Sequence, residues 1–506
     1  MGKRSRRFEC FWEVSPARRG HVMKVLLVNP PDDLKNFLGQ GKQFVPVLEP
    51  LGLLSIAAVA RKAGHDVAVV DAFAQGLSCE DVKAIILGQR PQVIGFSSFT
   101  SNGGAIYELG RWVKATRPET CVVFGNTHAA VYAESYLRNQ CCDCVVHGEG
   151  EDVFLRILEA VSGQRGFEGI SSVSFRSNGQ CVLAKESAII EDLSTLPLPA
   201  RDMVDRKFYS FSSMTNMPYD AKRKGVAKHM FTSRGCPFSC SFCAVHKKKG
   251  RRCYSLGQIL EEIKELKTGY GVSYIFFSDP IFVADRKRVL DLCRMIKENR
   301  LELQWGCEGH VNCMDEELIR AMEAAGCHDI AFGIESGVQR LLDGVNKKTN
   351  LGDIEKSVRL VKRITKIKVS GLFILGLPGE TYQDSLQTIR FAKSLPLDMA
   401  QFSTLVPYPG SAIYYELAEK GLVDTGIRKD GTLDTAVWQR YSAYSCFTDH
   451  QPIWTPPGLS FRQLKSLQRR ALREFYFRPR QFFFQMKRMK FSDLGGIFSA
   501  LKDILF

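Results

Sequence analysis

The sequence predicts an α/β protein: a parallel sheet covered by helices on both faces, then an open, partial (β/α) barrel, then a helical tail. Short Val/Ile/Leu runs alternate with amphipathic stretches over residues 23–162, and the alternation resumes between about 228 and 425. Continuous apolar runs separated by helical patterns are what parallel strands buried on both faces require. With 506 residues, 45% apolar and 24% charged, the chain can hold two or three domains, each with its own core.

Residues 1–22 form a basic extension. Met23–Pro30 reads as a buried strand stopped by Pro30 and Pro31, residues 51–64 as a helix, and His65–Asp71 as the second strand. Val93–Ser98, Cys121–Gly125 and Cys144–His147 complete a domain over 23–162. The loops after these strands carry Ser97, Ser98, Thr100, the run Gly125-Asn126-Thr127-His128, and Gly148–Glu151. Loops at the carboxyl ends of such a sheet form its ligand crevice. Residues 163–227 read as a linker with a hairpin, signalled by Arg176–Gly179 between Ser171–Phe175 and Cys181–Ala184. Within 228–425, Ile275–Phe277, Leu303–Trp305, Ile330–Gly333, Ser370–Leu375 and Gln401–Leu405 follow a first strand that enters a cysteine-rich loop. Six strands with crossover helices make a partial (β/α)6 barrel whose chemistry belongs at the strands' carboxyl ends. Residues 426–506 read as a helical extension.

The loop carries Cys236, Cys240 and Cys243 in the spacing C-x3-C-x2-C. Three such thiolates can hold three corners of a four-iron cluster, leaving one iron open to a small molecule that receives an electron. A structural zinc site with His246 as fourth ligand draws on the same residue types. The run Phe231–Cys243, with Phe242 before the last cysteine, resembles the signature of the radical S-adenosylmethionine (AdoMet) superfamily. The resemblance implies a [4Fe–4S] cluster and AdoMet chelated at the open iron. It also implies a 5'-deoxyadenosyl radical formed on reduction, and an external electron donor of flavodoxin or ferredoxin type. In such enzymes the cofactors supply the difficult chemistry and the protein positions and shields them.

Other segments extend the resemblance. Gly333–Gly337 stands where relatives place polar groups near the AdoMet ribose, which points to Glu335 and Ser336. Gly371–Glu380, with Gly376, matches the segment beside the adenine, and Pro407–Gly410 follows the sixth strand as in relatives. Two departures stand out. Ser278-Asp279-Pro280 keeps one of two usual acids, leaving Asp279 for the AdoMet amino group, and His310 stands where an Arg is common. His310 reads equally as an acid or base and as a structural residue. Upstream, Gly125–His128 and Val146–Glu151 resemble a flavodoxin-like/Rossmann-like cobalamin-binding domain, implying cofactor contacts from Ser98, Thr100, Gly125, Asn126, His128 and Glu149. The Asp-x-His-x-x-Gly motif of other cobalamin proteins is missing, so the resemblance implies cobalt without a histidine from this domain.

The resemblance spans roughly residues 23–490 and implies methyl transfer to an unactivated carbon of a small-molecule or lipid-like substrate. Oxidative cyclisation or rearrangement uses the same parts. RNA modification is a further class, suggested by the charge of +15 and by ten Lys/Arg with no acid in residues 222–252. Further basic blocks lie at 3–19 and 462–490. Such patches meet nucleic acid, anionic lipid or an acidic substrate, or offset a cluster's negative charge. RNA-modifying relatives spread three further cysteines over the first domain, whereas Cys121, Cys141, Cys142 and Cys144 are clustered, so nucleic acid is the less favoured partner. Phe482–Phe491 mixes aromatics with cations, as suits either a membrane surface or packing on the barrel. No apolar run is long enough to cross a bilayer. Sixteen cysteines with no leader-type apolar segment fit a reducing cytoplasm, with or without peripheral membrane contact.

Overall fold

The computed structural model describes residues 22–32, 46–209, 226–245, 250–448, 450–479 and 481. His246, the basic block 3–19 and the aromatic–cationic run Phe482–Phe491 lie outside them.

The first sheet contains β1 (Lys24–Asn29), β2 (Asp66–Asp71), β3 (Val93–Ser97), β4 (Cys121–Gly125) and β5 (Cys144–Val146), parallel and in the order β2-β1-β3-β4-β5. The period-two geometry of a strand divides β1 between two cores. Val25 and Leu27 pack with Leu53, Ala57, Phe154 and Ile157 from helices Leu51–Lys62 and Glu151–Ser162. Leu26 and Val28 pack on the other face with Ile106, Leu109 and Val113 of helix Gly103–Thr116. Because the order reverses at β1, a crevice opens beyond the carboxyl ends of β1 and β3.

The hairpin assigned to the linker belongs to this sheet. β6 (Val173–Ser177) pairs antiparallel with β5, and β7 (Gln180–Val182) with β6. Phe175 sits opposite Cys144, and Val173 and Phe175 complete the core beside Phe154. A free edge on three-residue β5 would leave backbone donors unpaired, and the hairpin closes it.

The second sheet is entirely parallel and runs in chain order: β8 (Val226–Met230), β11 (Val272–Phe277), β12 (Gln304–Gly309), β13 (Cys327–Glu335), β14 (Lys368–Leu375) and β15 (Met399–Thr404). Between β8 and β11, β9 (Ser233–Arg234) and β10 (Arg252–Cys253) form a two-residue antiparallel ladder that closes the cysteine loop at its base. The sheet stays open at β15, and helix Phe461–Tyr476 of the tail covers that edge. Leu464, Leu467, Ala471 and Phe475 enter the barrel core. Gln468 donates to the Phe402 carbonyl at 2.7 Å, and the Tyr476 hydroxyl donates to the Ala400 carbonyl at 2.8 Å. Side chains thus take the place of a seventh strand. Among the described residues, no helix is long and apolar enough to cross a membrane.

Candidate active site

A cavity of about 1140 Å³ lies between the two sheets. One wall is formed by Ser97, Thr100, Gly125, Asn126 and Gly148 at the strand ends of the first sheet. The opposite wall is Phe231, Ser233, Gly235, Ala244 and Val245, from the cysteine loop and its flanks, and Tyr408, Tyr441 and Tyr444 close a third side. The volume exceeds the range of about 300–1,000 Å³ usual for small-molecule sites. It fits one large ligand with room for a second, smaller one.

The floor at Gly125 is open: a Cβ built there meets no atom within 4 Å. Asn126, at φ 78°, turns the chain so that its Oδ1 accepts from the Thr127 N–H at 2.7 Å and its Nδ2 donates to Ser97 Oγ at 3.4 Å. Gly125, Asn126 and Thr100 line the crevice. Of three other expected contacts, Ser98 does not line it, while His128 and Glu149 do and also have protein partners of their own. Ser98 is fully buried and ties β3 to β4 through its N–H and the Gly125 carbonyl at 3.0 Å, so Ser97 faces the crevice instead. The His128 imidazole is buried in an aromatic nest, with Nε2 3.1 Å from Tyr136 Oη and ring centroids 4.6 Å from Tyr132 and 4.5 Å from Trp438. Burial holds its pKa down at about 3, so it packs as a neutral ring. Glu149 reaches the cavity edge, but Arg252 grips its carboxylate.

The cysteine loop is fixed from both ends. Gly235, at φ 83°, is required: a Cβ there would lie 2.2 Å from the Gly250 carbonyl oxygen across the loop's base. Farther along, Ser241 donates its N–H to the Val345 carbonyl at 3.0 Å, and Asn346 Nδ2 donates to Ser239 O at 3.0 Å and Oγ at 2.6 Å. Phe242 anchors the loop by packing into the apolar core between the domains. Cys240 is buried, and Cys236 and Cys243 are half-buried. None of the fifteen described cysteines is joined in a disulfide. Among the described residues, no three Cys, His, Asp or Glu side chains are gathered closely enough to hold a single metal ion.

Asp279 is not free for an amino group. Fully buried, it accepts from Thr232 N–H at 2.6 Å and Oγ1 at 2.5 Å, and from Ser233 N–H at 3.2 Å and Oγ at 2.6 Å. Its two oxygens are occupied in shaping the chain that enters the cysteine loop. Gly376, at φ 84°, turns its Cβ side toward Leu464 of the tail helix, 3.3 Å from an ideal Cβ, so the close approach it permits is to protein. Ser336 is buried, with Oγ 3.1 Å from Thr388 Oγ1 and accepting from the Val338 N–H at 3.2 Å. Glu335 does face a polar centre, since Lys347 Nζ lies 2.6 Å from its Oε1.

Two residues at this centre were missed in the sequence reading. Glu308, on β12, is pushed up to about 7 by burial and by the Glu335 charge, which Lys347 partly offsets. Lys347 follows the turn that holds the cysteine loop. The alternation of β12 marks Glu308 as a barrel-facing acid, but nothing local in the sequence ties Lys347 to Cys240. His310 stacks on Phe238 with centroids 4.2 Å apart, and its Nδ1 accepts from the Asn312 N–H at 3.3 Å. Burial and the neighbouring Lys347 charge hold its pKa down at about 4, so it serves as a neutral stacking partner of the loop rather than as a base near neutrality.

Comparison with known proteins agrees with this geometry. The family model for the radical SAM superfamily matches residues 230–392, and that for the B12 binding domain matches residues 42–158. An uncharacterized methyltransferase of Pyrococcus horikoshii, PH0819, is 31% identical over 465 residues, covering 91% of this chain and 94% of the relative. Cytidylyl-2-hydroxyethylphosphonate methyltransferase of Streptomyces wedmorensis is 27% identical over 469 residues, covering 82% and 86%. The solved structure of TsrM, a radical AdoMet methyltransferase of Kitasatospora setae with cobalamin and a [4Fe–4S] cluster bound, superposes with a TM-score of 0.67 at 18% identity, covering 88% and 91%. A cysteine loop and the strand ends of the first sheet border one cavity of about 1140 Å³. The cofactors are accordingly a [4Fe–4S] cluster, AdoMet and cobalamin, and the chain belongs to the cobalamin-dependent radical AdoMet methyltransferase family.

Proposed function

We propose that the protein methylates an unactivated carbon of a small organic molecule bound between its two sheets. Cys236, Cys240 and Cys243 hold the cluster, and the strand ends around Gly125 and Asn126 hold the corrinoid. The observation that carries this reading is the shared cavity: Gly125 and Asn126 line it together with Ala244 and Val245, which directly follow Cys243. When bound, AdoMet at the cluster supplies a hydrogen-abstracting radical and cobalamin supplies a transferable methyl group. Reduction comes from an external one-electron donor of flavodoxin or ferredoxin type.

The chain's own part is to bind, orient and shield. Phe96, Phe154 and Phe231 make much of the wall apolar, which excludes water that would quench a reactive intermediate. Four of the five acids on the described wall are ion-paired, Glu49 with Lys228, Glu151 with Arg234, Glu149 with Arg252 and Glu262 with Arg201, and the fifth, Asp32, accepts from Ser101 Oγ at 2.6 Å. Glu308 remains barrel-facing and takes up a proton near neutrality, so it can hold or release one beside the Glu335–Lys347 pair.

The test is product mass from reconstituted, reduced enzyme supplied with AdoMet, methylcobalamin and candidate small molecules. Carbon methylation predicts a gain of one CH2 at a carbon, with 5'-deoxyadenosine and S-adenosylhomocysteine both formed. Loss of hydrogen without added carbon would replace this reading with oxidative cyclisation.

A further inference from the structure

Lys347 is an unusual cation for its surroundings. Its residue is 8% exposed, and it pairs with Glu335, which is 6% exposed. The pair occupies space that only glycine leaves: a Cβ at Gly333 would lie 2.5 Å from Glu335 Oε1 and 2.8 Å from Lys347 Nζ. The backbone is bent to present both groups. Glu335 has φ 64°, and Asn346 and Lys348, on either side of the lysine, each have φ 55°. Left-handed conformations in non-glycine residues cost of order 1–3 kcal/mol each and persist where the surroundings enforce them. Here the same turn also grips the cysteine loop, through Val345 to Ser241 and Asn346 to Ser239. Burial works against the ammonium's charge, which Glu335 upholds first and the nearby Cys240 and Cys243 further, so it lies within electrostatic reach of both cysteines.

A buried ion pair gains little stability over apolar residues of the same volume, so stability does not account for this arrangement. A fixed charge beside an iron–sulfur cluster, however, sets how readily it accepts an electron. We propose that Lys347 is a positioning residue that raises the reduction potential of the cluster, and that Glu335 sets how much of its charge the cluster feels. This rests on the assignment of the cluster to Cys236, Cys240 and Cys243. The step is a single electron passing from an external reductant to the cluster, with no bond made or broken. The oxidised cluster gains one negative charge, which the nearby ammonium stabilises.

The experiment is a dithionite titration of the reconstituted full-length protein, followed by the electron paramagnetic resonance of the reduced cluster. Lys347→Met should lower the reduced-to-oxidised ratio at a fixed potential roughly tenfold, about 59 mV for a one-electron couple. Glu335→Gln should shift the midpoint in the opposite direction, and Lys347→Arg should stay near the parent. Misfolding would not produce shifts of opposite sign in two members of one pair. Midpoints unchanged in Lys347→Met, or moved the same way in both variants, overturn the inference. A parent protein with no cluster signal overturns the cysteine assignment beneath it.

Discussion

Arg252 clasps Glu149 through two guanidinium nitrogens, each 2.8 Å from a different carboxylate oxygen. Arg252 belongs to the ladder that shuts the cysteine loop, and Glu149 to the loop after β5. Beside them, Arg234 reaches Glu151 at 2.6 Å. The base of the cluster loop is thus bolted to the cobalamin domain, with Glu149 as a clasp.

Glu149→Gln should therefore destabilise the protein by about 3 kcal/mol, because it removes the charge that balances a largely buried guanidinium and leaves Arg252 neutral acceptors such as the Ile190 carbonyl. Urea unfolding measures this. Burial pulls the Glu149 carboxyl up, but the hydrogen bonds from Arg252 and the Ile190 N–H and the charge of Arg234 outweigh it, so the group sits below its ordinary value of 4.5. A depressed carboxylate stabilises the fold fully above its unfolded pKa and loses that effect as pH falls through the folded one. The gap between parent and variant should be constant at neutral pH and close below about pH 4.

Asp279→Asn tests whether that carboxylate shapes the chain or binds ligand. An amide cannot accept from two N–H and two hydroxyl groups without turning a donor toward one of them, at about 1–3 kcal/mol for each group left unsatisfied. Expected are lower stability and reduced iron content after reconstitution, with unchanged AdoMet affinity in whatever fraction holds a cluster. Weakened AdoMet binding at parental stability would restore the ligand role.

Two kinds of information differ in how legible they were. The cysteine spacing and the strand–helix alternation are local, so both sheets and the cluster loop could be read directly. Pairings between distant residues could not. Arg201, in a stretch read as a linker, donates to Glu49, to Glu262 at 2.8 Å and to the His229 carbonyl at 2.8 Å, while Lys228 reaches Glu49 at 2.5 Å. That network welds the domains, yet each member alone reads as a surface charge. Likewise, His128 in a glycine-bearing loop looks like a ligand until Trp438, from the tail, packs against it. Asp279 and Gly376 sit at family positions, but their surroundings, Ser233 and Leu464, decide what they do.

His128 yields a prediction in pH. Its folded pKa, held down at about 3, lies below the ordinary 6.5 because a charged imidazole would be stranded in the aromatic nest. Below 6.5 the unfolded chain takes up a proton that the folded one refuses. Stability from this group is therefore complete above 6.5 and falls at up to about 1.4 kcal/mol per pH unit on acidification. His229, held at about 4 chiefly by burial, adds to the trend. Urea midpoints should decline between pH 7 and 5, less steeply in His128→Phe, and the absorption spectrum of bound cobalamin should not change with that substitution.

Gly125 gives the sharpest test of where the corrinoid lies. Nothing stands within 4 Å of an added Cβ, and φ there is not positive, so the folded chain accepts a side chain at this position without strain. That side chain would project into the crevice floor, in space reserved for a ligand. Gly125→Leu should keep the parental urea midpoint and iron content while weakening cobalamin binding at least tenfold, about 1.4 kcal/mol. Equilibrium titration with hydroxocobalamin, read by absorbance, measures it. Parental affinity in a normally folded Gly125→Leu protein would place the corrinoid elsewhere and remove the shared cavity on which the proposed chemistry depends.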